Sequence, residues 1–450
     1  LSVANIVTLF CIAVIVIQFA VGMQRFRWKL GGGDLLLLPC IGFMAVTYML
    51  NPVGLSILGS STVGSRPYLE IALALVAYVV LSGIRVNARA VRSLPIISLL
   101  SSGFLSLGTG VAYHFPTIGA RLNVFYGGFM PHWDVSSQYG FQMAKRLSYL
   151  WGISDALQRF FILRKNAWLL RPSKGGITII VLVLTLVAGM LTGHRIVVVT
   201  WAGYLGIYAL LRGNMKGVFM MGFFGAFALI GLYGLHHTIH EVPLSIQRSI
   251  SFLPGDWDRD VVHDAEGSLD WRMEMWEAVL FEEGRVNNKI LGDGFGFSAR
   301  ELALAQSMSS EGGRVNLSPE DMQEYFLVSG DLHSGPLTAV RFVGWVGLFF
   351  FILLSMYLAR CYWKLCRRSL DTPYGMAVVF MGIPWIWFPI KYVFLYGDYA
   401  HNLPLFIVAA GLYNLMKKFV DESEIQLVGE NQRGSNILRN DDAINVGEKQ

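Results

Sequence analysis

The residue best placed to move a proton in this 450-residue chain is His333, in Asp331-Leu332-His333-Ser334-Gly335-Pro336, the last polar stretch before a long apolar run. An imidazole titrates near neutral pH and can take a proton from a hydroxyl. The competing reading is a histidine at a helix start, bonded to backbone. Arg341 follows it, and on one continuous helix the two would lie about 12 Å apart along the axis, roughly on one side. Other cations stand at comparable places: Arg195 after Thr192-Gly193-His194, Arg272 beside an apolar helical surface, Lys391 near the end of an apolar run, and Lys145 with Arg146. Gathered in one cavity, such cations suit a phosphate or diphosphate. Taken singly, each can equally snorkel to a membrane interface.

Three further motifs carry less. Asp256-Trp257-Asp258-Arg259-Asp260 has paired acids of the kind that hold a metal, but it follows Pro254-Gly255 and reads better as a solvated turn. His236, His237 and His240 could place two imidazoles on one helical face as metal ligands, yet the His-Glu-x-x-His pattern is missing, so no metal is expected. Gly292-Asp293-Gly294-Phe295-Gly296 does not follow a strand in a βαβ unit; it reads as a tight turn whose backbone approaches something closely.

The elements that must position these residues are membrane helices. Hydrophobic residues make up 54% of the chain, charged residues only 15%, and mean hydropathy is +0.49. Apolar runs long enough to cross a bilayer fall at 3–23, 34–50, 68–84, 94–113, 175–191, 196–211, 217–235, 337–358, 374–395 and 402–416. The segment 139–161 carries Lys145, Arg146, Asp155 and Arg159, too many charges for a lipid-facing helix. Charge asymmetry nevertheless demands a crossing there. Short loops on one side hold 18 Lys and Arg; those on the other hold Arg66, Arg121 and Arg195. The expectation is an all-α polytopic membrane protein with about eleven visible spans, or twelve if an N-terminal helix precedes them. Residues 1–235 then form the first eight spans, 236–333 a large, partly helical external loop, 334–418 the last three spans, and 419–450 a disordered tail on the cytoplasmic side. The net charge of +5 follows from this loop bias and is no sign of nucleic-acid binding. The four cysteines lie in or beside spans and indicate no disulfide framework.

The external loop is acidic, with 18 Asp and Glu against 7 Lys and Arg over 236–333. Most of these acids belong to a solvated surface. Within the loop, 270–283 has helical periodicity, Trp271, Met275 and Val279 falling on one side.

In this order the motifs resemble the bacterial O-antigen ligases with their related polymerases and protein O-oligosaccharyltransferases. Thr192-Gly193-His194-Arg195 is similar to that family's small-residue turn ending in arginine, and Arg272 with Trp276 to its Arg-x-x-x-Trp helix. Leu291-Gly292-Asp293-Gly294 is similar to its Leu-Gly-x-Gly turn, and His333 with Gly344, Gly347 and Leu348 to the start of its following span. Ser334 stands where the family has Asn, and His194 where it often has Ser. The resemblance covers roughly the second half of the chain. It implies a glycosyltransferase of a bacterial inner membrane with its large loop periplasmic, moving a glycan from a polyprenyl-diphosphate carrier to a hydroxyl on a lipid or glycan acceptor. In that reading His333 is the general base, Arg195 and Arg272 (with Arg341) hold the diphosphate, and neither metal nor other cofactor is required. A polymerase of the same family is one alternative. A lipid-glycan or solute transporter, with the same cations lining a path, is another.

Overall fold

The computed structural model describes residues 3–22, 32–52, 64–115, 117–119, 121, 146–163, 172–213, 230, 231, 234, 242–252, 255–296, 323, 324, 326, 327, 330 and 332–447. Among these, every extended element is helical and no strand occurs. In chain order they are α1 (Val3–Ala20), α2 (Gly32–Leu50), α3 (Ser65–Gly83), α4 (Ala88–His114), α5 (Leu150–Ile162), α6 (Pro172–Met190), α7 (Arg195–Leu211), α8 (Leu244–Ile250), α9 (Arg259–Phe281), α10 (Gly335–Ser369), α11 (Gly375–Ile390) running into a π-helical turn (Lys391–Leu395), and α12 (Tyr399–Gly447). Five stretches are long and apolar enough to cross a membrane: α3, α4, α10, α11 with its π turn, and the first part of α12. Apolar helical runs of 10–17 residues add to them in α1, α2, α6 and α7. A helix satisfies its own backbone in hydrocarbon, which is why these runs take this form. Large apolar side chains such as Phe104 and Leu107 on α4 and Phe349 and Met356 on α10 face outward, a surface suited to lipid.

The apolar run expected at 217–235 lies outside the described residues apart from 230, 231 and 234. The charged region 139–161 is described from Arg146, and its helix is the short α5. Its charges turn inward and compensate one another. Arg159 donates to the Asp155 carboxylate at 2.7 Å, and its guanidinium carbon lies 4.6 Å from the centre of the Phe380 ring on α11. An i, i+4 pair folded against an aromatic face removes the objection that so charged a helix cannot enter the bundle.

Phe351 of α10 is fully buried at the heart of the molecule, ringed by Phe388, Tyr392, Tyr399 and Phe406 with centroids 4.9 to 6.2 Å away. Around it α2, α3, α10 and α12 share one apolar core, while α7, α11 and the far ends of α10 and α12 share a second.

The glycine turn at 292–294 proves to be a clasp on α10. Gly344 has φ 67°, which interrupts α10, and the helix exchanges hydrogen bonds with the turn across the break. The Trp345 and Val346 N–H groups, which would ordinarily bond to the carbonyls of Arg341 and Phe342, donate instead to Lys289 and Ile290. The Arg341 and Phe342 carbonyls accept from the N–H groups of Asp293 and Gly294, both at 2.9 Å. Backbones come so close that a Cβ at Gly344 would lie 2.1 Å from the Ile290 oxygen, and one at Gly292 2.3 Å from the Val343 nitrogen. The expected close approach is there, and its partner is the membrane helix itself. Asp293 braces the turn by accepting from the backbone N–H groups of Asn287 and Asn288.

The tail corrects an expectation. The segment after Val420, read as disordered, continues α12 as helix to Gly447. Its first turns are tied to the bundle: Asp421 and Glu424 accept from Arg368, and Glu422 pairs with Arg85 at 2.8 Å.

Candidate functional site

The site is built where α6 turns into α7, where α9 passes, and where α10 begins. Gly193 takes φ 70°, a left-handed conformation that lets the chain reverse within Thr192-Gly193-His194 and start α7 at Arg195. The Thr192 hydroxyl donates to the Gly189 carbonyl at 2.6 Å and steadies the reversal. Two arginines press on this hairpin. The Arg146 stem lies against Gly193, where an added Cβ would meet its Cγ at 3.0 Å, and Arg248 of α8 donates to the Gly193 carbonyl at 2.9 Å. Ser249 donates to the carbonyl of Met190, so α8 holds the hairpin at two points.

Of the two acids around Trp257, Asp258 has a local structural role. Asp258 caps α9, accepting from the N–H groups of Asp260 and Val261, and Trp257 is buried against Met190, Ile246 and Ile250. Along α9 the apolar side formed by Met275, Ala278 and Val279 packs on Leu327, Leu332 and Leu337, giving the loop a small core of its own. The Trp276 indole N–H donates to the Leu332 carbonyl at 3.1 Å. Arg272 and Trp276 are one turn apart on α9, so the helix that presents the guanidinium also grips the residue before His333.

His333 itself has φ 53°, the one positive value among the described residues that are not glycine. Such backbone costs of order 1 kcal/mol and persists where the surroundings over-determine it. They do so here from both sides. Trp276 holds Leu332; beyond it, the Tyr392 hydroxyl donates to the Gly335 carbonyl at 2.7 Å, and Thr338 accepts from the Tyr399 N–H. The imidazole stands among the rings of Trp271, Phe326 and Tyr396, with centroids at 6.0, 5.4 and 5.7 Å. Tyr396 closes the π-helical turn, its N–H bonded to Lys391.

These pieces converge. The His194 imidazole, outside the helices and partly buried, is held down to about 3 by burial first, then by the charges of Arg146, Arg248 and Arg272, and by His333. The hairpin that carries Arg195, the loop helix that carries Arg272 and the start of α10 at His333 therefore lie within electrostatic reach of one imidazole. Chemically, the arrangement gathers cations beside a histidine, a combination able to stabilise negative charge.

Arg341 donates to the Leu327 carbonyl and lies near the Phe342 ring, tying the loop's return to α10. Lys391 lies within electrostatic range of Asp155. Lys145 and the histidines at 236, 237 and 240 lie outside the described residues. Sequence reasoning missed Arg248, one basic residue in an acidic loop with no pattern to set it apart. Trp276 stands in the sequence as the second member of an Arg-x-x-x-Trp pattern with Arg272, and its hydrogen bond to the Leu332 carbonyl adds a task that the pattern does not state.

No protein-family model and no curated protein matches the chain.

Proposed function

We propose that this chain is a membrane glycosyltransferase of the O-antigen ligase type, taking a glycan from a polyprenyl-diphosphate carrier to an acceptor hydroxyl. The observation that carries the reading is the meeting of Arg272, His333 and the Arg195 hairpin around His194, with further positive charge from Arg146 and Arg248. The acceptor oxygen attacks the anomeric carbon as His333 takes its proton. The bond from that carbon to the phosphate oxygen breaks, and the electron pair leaves with the diphosphate. Arg195 and Arg272 stabilise the charge gathering there, in a setting where fixed donors act more strongly than in water. Arg341, expected to join them on the diphosphate, also ties the loop to α10 through the Leu327 carbonyl. In this reading the chain crosses an inner membrane about eleven times, with 236–333 on the periplasmic side and the tail on the cytoplasmic side. The acceptor is a lipid or glycan, and no metal takes part.

The test is transfer by the purified chain from lipid-linked oligosaccharide to candidate acceptors. His333→Asn is the informative variant, because asparagine also tolerates the left-handed backbone and leaves the fold intact. We expect transfer to fall by about 100-fold or more for His333→Asn and for Arg272→Gln and Arg195→Gln. Near-normal transfer by His333→Asn would refute the base; movement of intact lipid-linked glycan without bond cleavage would make the chain a transporter.

A further inference from the structure

At the end of α10 opposite His333, a cavity of about 460 Å³ opens between α10 and α12. Arg360, Lys364 and Arg368 line it from α10, Lys417 from α12, with Tyr357 and Tyr413 on its walls. No acid is among its lining residues; the carboxylates of Asp421 and Glu424 engage Arg368 at 2.9 and 2.6 Å.

The position along α10 is informative. Beyond the break at Gly344, α10 runs about 24 Å further to Arg360, most of the thickness of the hydrocarbon layer, and ends in the basic cluster Arg360, Lys364, Arg367 and Arg368 that belongs at a headgroup interface. The cavity is therefore at the far interface, where charged headgroups lie. One face of α10 leads to it: Trp345, Phe349, Leu353 and Met356 are all exposed and recur at three- and four-residue steps, and the next positions on that face are Arg360 and Lys364. An apolar track that ends in a cationic cavity matches a molecule whose hydrocarbon chains lie along the helix and whose charged end reaches the cavity.

We infer that this cavity binds the phosphate headgroup of an anionic phospholipid, its acyl chains lying along the exposed face of α10. The cations supply attraction to the phosphodiester, and the tyrosine hydroxyls can donate to its oxygens. The cavity's volume falls within the range that holds small ligands. The inference stands apart from the proposed chemistry, since the cavity is at the other end of the bundle.

The experiment uses the full chain, purified in detergent, with native mass spectrometry to count retained lipid. Phosphatidylglycerol and phosphatidylcholine with identical acyl chains are titrated in turn. Phosphatidylglycerol should be retained in preference, and Lys364→Gln with Lys417→Gln should weaken that retention by about tenfold or more. Arg367→Gln, exposed on the same helix but outside the cavity, should leave retention unchanged. Equal retention of both lipids, or unchanged retention by the double variant, would overturn the inference. Displacement of phosphatidylglycerol by an equal concentration of inorganic phosphate would also overturn it, making the cavity a site for soluble anions. The lipid comparison and the phosphate competition use the native chain, so they decide the matter even if the double variant does not fold.

Discussion

His194 gives the most direct test of how the candidate site is assembled. Its folded pKa is held down to about 3, by burial and then by Arg146, Arg248, Arg272 and His333, against an ordinary value of 6.5. The sign follows from linkage: between those values the unfolded chain binds a proton that the folded chain refuses, so stability is complete above pH 6.5 and is lost as pH falls towards 3. Each pH unit in that window costs about 1.4 kcal/mol, so lowering pH from 6.5 to 5 removes roughly 2 kcal/mol. The perturbation is His194→Gln, which cannot titrate. Thermal unfolding of both proteins in one detergent, at pH 7.5 and pH 5, reads the effect as a change in the gap between their midpoints. The native protein should lose about 2 kcal/mol relative to the variant on acidification, while titrations common to both cancel. Adding Arg272→Gln to each member of the pair should shrink that pH dependence by removing one cation. A gap that is the same at both pH values would refute the convergence of the hairpin, α9 and the start of α10 on this imidazole.

Three other expectations are open to measurement. Gly344→Ala should cost about 2 kcal/mol or more of stability, read as a lower unfolding midpoint, since alanine at φ 67° is strained and its Cβ meets the Ile290 oxygen, whereas Gly206→Ala, in open space on α7, should be neutral or stabilising. Asp155→Asn should cost roughly 3 kcal/mol by leaving Arg159 uncompensated, and Arg159→Met on that background should recover most of it; identical losses in the single and double variants would show that the pair is not coupled. Trp276→Phe keeps the aromatic packing but deletes the hydrogen bond to Leu332, a loss of about 1 kcal/mol. It should speed amide exchange at 332–334 and slow glycosyl transfer severalfold, and unchanged exchange would deny Trp276 its positioning role.

What was legible in the sequence divides along physical lines. Apolar runs announce helices because hydrocarbon leaves the backbone few other choices, and the runs at 68–84, 94–113 and 337–358 each fall on a helix. Their ends were less legible: α10 continues to Ser369 because its basic last turns can stand beyond the apolar layer, and α12 continues because acids after Val420 find Arg85 and Arg368. The glycines at 292 and 294 signalled close approach, but nothing local names Gly344, some fifty residues on, as the partner. His333 could be picked out by its place before an apolar run, yet its left-handed backbone is a product of tertiary contacts from Trp276 and Tyr392. Arg248 was invisible because its partner is a backbone carbonyl, which carries no side-chain signature.

The geometry of the site depends unequally on its supports. Leu332 and Leu337 share a core with Met275 and Val279, so α9 and the start of α10 move as one piece and the spacing of Arg272 from His333 is fixed by packing. The hairpin with Arg195 has no place in that core. Its register against the other two rests on α8, a helix of seven residues that grips Gly193 through Arg248 and Met190 through Ser249. At its other side Gln247 accepts from the Asp258 N–H, at the cap of α9. The hydrogen bonds of α8, together with the small apolar cluster of Met190, Ile246, Ile250 and Trp257, thus set the distance between the hairpin and the histidine, where a separate apolar core sets the distance within the loop. Variation at α8 should therefore disturb diphosphate alignment before it disturbs folding, since the packed unit around His333 does not need α8 to form.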